Sequence, residues 1–129
     1  MNQNSMMIHK DLFDGINKIH DTRNPSELEK KHIPAIDAPN EVFKGEYFEV
    51  SVKAGLQATH PNEPGHFIQY IDLYADDNFI ARTDFAPTRT EPKITLSVSL
   101  NHITEQLIAL VACNNHGVWI GSKPISVLQ

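Results

Sequence analysis

Cys113, the sole cysteine of the chain, stands three residues before a histidine in the run Cys113-Asn114-Asn115-His116-Gly117. A thiolate and an imidazole at that spacing can grip one metal ion from a single tight turn. Upstream, His60-Pro61-Asn62-Glu63-Pro64-Gly65-His66 places two more imidazoles around a loop rich in turn formers, and Lys30-Lys31-His32-Ile33-Pro34 adds a fourth. Four imidazoles and one thiolate make a candidate mononuclear site. Neutral imidazole and thiolate suit several metals, so ligand count must discriminate. Structural zinc sites close at four ligands, usually with more sulfur. A blue-copper site takes two histidines, one cysteine and often a methionine, whereas the only methionines here are Met1, Met6 and Met7. Five candidate ligands point instead to a square-pyramidal iron with its sixth position open.

Taken together, the three runs resemble the superoxide reductases, a family that includes the neelaredoxins and, with an extra domain, the desulfoferrodoxins. The pattern K-H-x-P matches Lys31 to Pro34. H-P-N with a second histidine six residues after the first matches His60 to His66, and C-N-x-H-G-x-W matches Cys113 to Trp119. The similarity extends from about Glu29 to about Leu128. It implies one-electron reduction of superoxide to hydrogen peroxide at one non-haem iron per chain, cycling between ferrous and ferric. His32, His60, His66 and His116 would form the equatorial plane, with Cys113 axial. The resemblance also implies that the axial thiolate favours release of intact peroxide. Lys31 matches the family's catalytic lysine, which would attract the anion and assist protonation. A small redox protein such as rubredoxin is the implied electron donor, and a homo-oligomer, often a tetramer among one-iron members, is the implied assembly.

The chain departs from the family at one position. Most members place a glutamate two residues before the first histidine ligand, where it can bind the oxidised iron. Here that position is Lys30, and Glu29 and Glu27 could reach the iron only through a shifted loop. The competing functional reading is a non-catalytic electron-transfer or metal-binding immunoglobulin-like module whose sixth position is blocked. A plain β-sandwich interaction domain is a third, though it would not need five ligand-type residues in this order. Lys31 and the lack of an obvious sixth strong ligand favour the enzyme. Taken alone, a Lys-Lys pair reads as solvated surface, and His60 and His66 read as loop histidines; their combination with Cys113 and His116 changes both readings.

The elements that must position these residues are mostly strands. Ile94 to Leu100 alternates apolar and polar residues, as do Phe48, Val50 and Val52 with Glu49 and Ser51, the pattern of half-buried strands. Phe67 to Tyr74, Phe79 to Phe85 and Leu107 to Ala112 are further candidates, the last apolar throughout and therefore central. Short runs at Val42-Phe43, Val118 to Ile120 and Ile125 to Leu128 complete about seven strands separated by Gly, Pro, Asn and Asp. The expectation is an all-β, antiparallel sandwich, immunoglobulin-like by resemblance. Residues 29–129 would form the iron-binding domain, and residues 1–28 a short, partly helical extension. In that extension Leu12, Phe13, Ile16 and Ile19 recur at helical spacing, weakened by Gly15. Asn24-Pro25-Ser26-Glu27 offers an N-cap, a proline at the first helical position and an acid at the third. Pro34 disfavours helical geometry at Ile33, which predicts a loop for Lys30, Lys31 and His32.

A chain of 129 residues fits one domain. With one cysteine there is no internal disulfide and no additional four-cysteine iron domain, so one metal per chain is expected. The N-terminus lacks the apolar core of a secretory signal, and no stretch approaches the ~20 apolar residues of a membrane span. A cytoplasmic location is expected, which suits a free thiolate. The net charge of -5 argues against nucleic-acid binding. His9, His20 and His102 match no motif and read as surface residues. Trp119 reads as packing that shields the metal, and Asn114 and Asn115 as a turn whose backbone N–H groups face the sulfur.

Overall fold

Residues 12–56 and 58–129, which the computed structural model describes, contain one short helix followed by nine strands. The helix α1 (Glu27–His32) precedes β1 (Ala35–Asp37), β2 (Glu41–Phe43), β3 (Tyr47–Lys53) and β4 (Ile68–Ala75). Then follow β5 (Asn78–Asp84), β6 (Lys93–Ser99), β7 (Gln106–Cys113), β8 (Gly117–Pro124) and β9 (Ser126–Leu128). One sheet has the order β1-β3-β6, the other β5-β4-β7-β8, and all their ladders are antiparallel. Strands β2 and β9 form a separate parallel pair.

The alternation read in the sequence is what joins the sheets. Val50 and Val52 of β3 and Ile94 and Val98 of β6 bury their side chains in one cluster with Ile71 and Leu73 of β4 and Leu107, Ala109 and Val111 of β7. Reducing a fully buried residue such as Ile71 to Ala would cost about 2–5 kcal/mol, because the cavity collapses only in part. Strand β7, apolar from Leu107 onward, lies between β4 and β8, as a strand buried on both faces should. This all-β, immunoglobulin-like sandwich is the fold expected. It differs in detail by the extra strand β1 and by the parallel β2–β9 pair, each only three residues long and too short to show a periodicity.

The N-terminal expectations need two corrections. First, Ser26, not Asn24, caps α1: its hydroxyl accepts from Glu29 N–H at 3.1 Å while Glu29 Oε1 accepts from Ser26 N–H at 2.8 Å, a reciprocal capping box. The helix then runs through His32, so Lys30, Lys31 and His32 form its last turn instead of a loop. Pro34 restrains only the residue before it, and Ile33, though extended (φ -60°, ψ 122°), still donates its N–H to Glu29 O at 2.9 Å. Second, residues 12–20 are not helical. Asn17 lies against the edge of β8, donating N–H to Val118 O at 3.2 Å and accepting from Ile120 N–H at 2.9 Å. The remaining N-terminal expectations, including His9, lie outside the described residues. No helix among the described residues is long and apolar enough to cross a membrane.

Candidate metal centre

Three segments meet at one end of the sandwich. Cys113 closes β7, and its side chain belongs to the hydrophobic core. The turn after it returns into β8 at Gly117, which takes a φ of +80° that a Cβ would disfavour, and so His116 sits at an exposed hairpin tip. His32 is the last residue of α1. His60 and His66 lie in the loop between β3 and β4, where Glu63 and His66 exchange backbone hydrogen bonds of 2.9 and 3.1 Å.

Gly55 joins the histidine loop to the end of α1. Leu56 N–H donates to Lys30 O at 2.8 Å and Gly55 N–H to Ile33 O at 3.1 Å, so the loop leading to His60 binds the end of α1 that carries His32. Gly55 has φ +93°, and a Cβ there would collide with Ala58 O while crowding the carbonyls of Lys30 and Lys31.

The four imidazoles form a closed circuit. Ring centroids are 4.7 Å apart for His32–His60, 4.8 Å for His60–His66, 5.0 Å for His66–His116 and 5.0 Å for His116–His32. The non-adjacent pair His32–His66 is 6.4 Å apart. Ligating atoms of His32, His60, His66 and Cys113 all lie within 4.8 Å of one another. His116 stands outside that tightest group but holds Nδ1 3.7 Å from Cys113 Sγ. The five predicted ligands are therefore neighbours, with His32 and His60 buried and His116 facing solvent.

The hydrogen bonds fix which nitrogen of two rings is available. His32 Nδ1 lies 2.7 Å from Leu28 O and His60 Nδ1 2.6 Å from Pro61 O. A carbonyl only accepts, so both Nδ1 atoms carry hydrogen. Burial lowers the pKa of His32 and, most strongly, that of His60, to about 4, against the opposing pull of the carbonyls. Both rings are then neutral at pH 7, and their Nε2 lone pairs face one another at 3.2 Å with no proton between them. His66 Nε2 is buried and has no hydrogen-bond partner. Two converging imidazole lone pairs and an unpartnered third ring beside a soft sulfur fit a cation that accepts both N and S donors, as iron does.

The remaining predicted residues divide clearly. Lys31 is exposed on the last turn of α1, next to His32, and makes no ion pair among the described residues. Lys30 Nζ is held 3.2 Å from Glu27 Oε1. Glu29 is buried and faces away from the imidazoles: its Oε1 takes Ser26 N–H, and its Oε2 takes His20 N–H at 3.2 Å. Those bonds, Ser26's first, lower its pKa. Thus neither Glu27 nor Glu29 supplies a carboxylate to the circuit. His20 and His102 are exposed, as expected.

Sequence reasoning missed several positioning groups. The pattern Ser26-x-x-Glu29 was a readable sign of the capping box. Asn62 accepts from Thr88 N–H at 2.9 Å and donates to Thr90 O at 3.1 Å, tying the histidine loop to the β5–β6 connection. Trp119 does more than shield: its ring stacks on His32 at 4.9 Å, and its indole N–H donates to His116 O at 3.0 Å. Asn114 N–H points to Phe67 O at 3.2 Å rather than to sulfur. None of these long-range partners is visible in a linear sequence.

The desulfoferrodoxin family model matches residues 24–122. The chain is 40% identical over 114 residues to a protein of Methanocaldococcus jannaschii, covering 86% of this chain and 93% of that one. It is 33% identical over 99 residues to the superoxide reductase of Pyrococcus abyssi, covering 70% and 83% respectively. The superoxide reductase (neelaredoxin) structure from Ignicoccus hospitalis superposes with a TM-score of 0.76 at 31% identity, over 92% of this chain and 99% of that one.

Proposed function

The chain belongs to the desulfoferrodoxin family of superoxide reductases, and on that premise we propose that it reduces superoxide at one iron per chain held by His32, His60, His66, His116 and Cys113. The balanced reaction takes superoxide, one electron and two protons to hydrogen peroxide. The observation that carries this reading is the closed circuit of four imidazoles with Cys113 beside it. Bound there, iron supplies the single electron and cycles between its ferrous and ferric states.

The residues of the chain provide the rest. Leu28 O and Pro61 O keep His32 and His60 in the tautomer whose Nε2 is free to bind metal. Burial of Cys113, together with Trp119, keeps bulk water from that side, leaving the His116 side open to a small anion. On a chain of net charge -5, the local positive field of Lys31 attracts superoxide, and Lys31 Nζ can relay a proton from water to the departing peroxide. We assign residues 29–129 as the iron-binding domain. A small redox protein of the rubredoxin type as donor, a cytoplasmic location and a homo-oligomeric assembly complete the reading.

Metal analysis joined to product stoichiometry tests it. The chain purified anaerobically should hold one iron, and with a one-electron reductant should form one peroxide per superoxide consumed without releasing dioxygen. Dioxygen release at half the superoxide consumed would mark disproportionation and overturn the reductase reading. Iron binding with no superoxide consumption would favour an electron-transfer module.

A further inference from the structure

His66 is held differently from its partners in the circuit. The rings of His32 and His60 are each oriented by a carbonyl on Nδ1, whereas no hydrogen bond to either ring nitrogen of His66 is present among the described residues, and its Nε2 is buried and unpartnered. Besides its edge-to-face contacts with His60 and His116, the ring takes its direction from its own backbone, paired with that of Glu63, and from the residues on either side of it. Those flanking residues are gripped by a single side chain. Asn114 Oδ1 accepts from Phe67 N–H at 2.9 Å and Asn114 Nδ2 donates to Gly65 O at 3.0 Å, so one carboxamide spans the residues immediately before and after His66. Asn114 adds a third bond through its main chain, N–H to Phe67 O at 3.2 Å.

We propose that Asn114 is a positioning residue that aims the His66 imidazole and ties it to the neighbouring Cys113, so that two ligands from distant parts of the chain keep a fixed separation before metal binds. This rests on the iron-site reading above. The chemistry selects asparagine at this position. Gly65 O requires a donor and Phe67 N–H requires an acceptor; a carboxamide offers both from one planar group, whereas aspartate offers only acceptors and alanine neither. The clamp also spares His66 Nε2, since it acts on the backbone instead of the ring. Outer groups that orient a ligand typically change metal affinity by about 10–100-fold when removed.

Ferrous-iron affinity, measured anaerobically by competition with a chelator on the full chain, tests this. Asn114→Ala should weaken iron binding ~10-fold or more, and Asn114→Asp, which keeps the Phe67 bond and loses the Gly65 bond, should fall between it and the parent. Asp76→Ala is the structural control. Asp76 accepts from Glu105 and Gln106 N–H groups at the far end of β4, so its loss should lower the melting temperature without changing iron affinity. A double-mutant cycle isolates the route: in a His66→Ala background, Asn114→Ala should cause little further loss, because the ligand it aims is gone. Parent-like affinity in Asn114→Ala, or fully additive losses in the cycle, would overturn the proposal. If Asn114→Ala does not fold, Asn114→Asp alone decides by the same affinity criterion. A parent chain that binds no iron would instead refute the site reading itself.

Discussion

His32 and His60 direct their Nε2 atoms at each other across 3.2 Å while each commits Nδ1–H to a backbone carbonyl. Two neutral rings so arranged have no proton to share, and a cation that accepts both lone pairs converts a repulsive contact into a bound one. Ferrous iron should therefore stabilise the fold by mass action, by ~2.7 kcal/mol when free metal is a hundred times its dissociation constant. Anaerobic thermal unfolding with and without iron checks this. His60→Ala should abolish the shift, and an unchanged shift in that variant would exclude His60 from the ligand set.

Cys113 serves the core and the site together, since its side chain joins the buried cluster while Sγ lies 3.7 Å from His116 Nδ1. Cys113→Ser keeps the size but replaces a soft thiolate with a hydroxyl that stays protonated. The iron-loaded, oxidised variant should lose the thiolate-to-ferric charge-transfer band and most of its activity. Retention of the band in the optical spectrum would show that Cys113 is not a ligand.

The two lysines before His32 should differ in effect. Lys30 is paired with Glu27, whereas Lys31 makes no ion pair among the described residues, so Lys31 is the better candidate for steering an anion. Lys31→Ala should slow superoxide encounter several-fold at low ionic strength, and parent and variant should converge as salt rises toward ~1 M, where the screening length is ~3 Å. Lys30→Ala should change the rate less. Pulse radiolysis across a salt series measures both, and equal parent and Lys31→Ala rates at low salt would leave Lys31 without a steering role.

Much of this architecture could be read in the sequence because hydrophobic alternation and turn residues are local signals. Val50/Val52, Ile94/Val98 and the apolar run of β7 declared their burial, and three short motifs held the five ligand-type side chains that the fold brings together. What stayed hidden depends on partners distant in sequence or on choices between nearby caps. Asn114 and Gly65 are neighbours only after β4 and β7 pair, and Gly55 is required because its loop folds back on Ala58 O at positive φ while α1 ends beside it. The helix starts two residues later than expected because Asn24-Pro25 and Ser26-x-x-Glu29 are both valid start signals. Glu29 decided between them by bonding back to Ser26.

The placement of Glu29 separates two properties that one substitution can test together. Its carboxylate is consumed by Ser26 and His20 N–H groups, and Glu27 is exposed beside Lys30, so neither acid competes for the imidazole circuit. The oxidised, iron-loaded chain should accordingly bind azide or cyanide, and Glu29→Gln should leave that affinity unchanged. Fold stability should behave otherwise. The folded-state pKa of Glu29 is lowered, chiefly by the Ser26 N–H bond, so its contribution is fully present above the unfolded carboxylate pKa of ~4.3 and is lost as pH falls through the lower folded value. Glutamine keeps one acceptor oxygen for the Ser26 N–H, turns a donor toward the His20 N–H, and does not titrate. The difference in melting temperature between parent and Glu29→Gln, measured on the metal-free chain, should thus be constant from pH 7 to about 5 and shift in favour of the variant as the pH drops below ~4. A variant with markedly altered azide affinity would place Glu29 at the metal, and parallel acid profiles would show that its ionisation does not support the capping box.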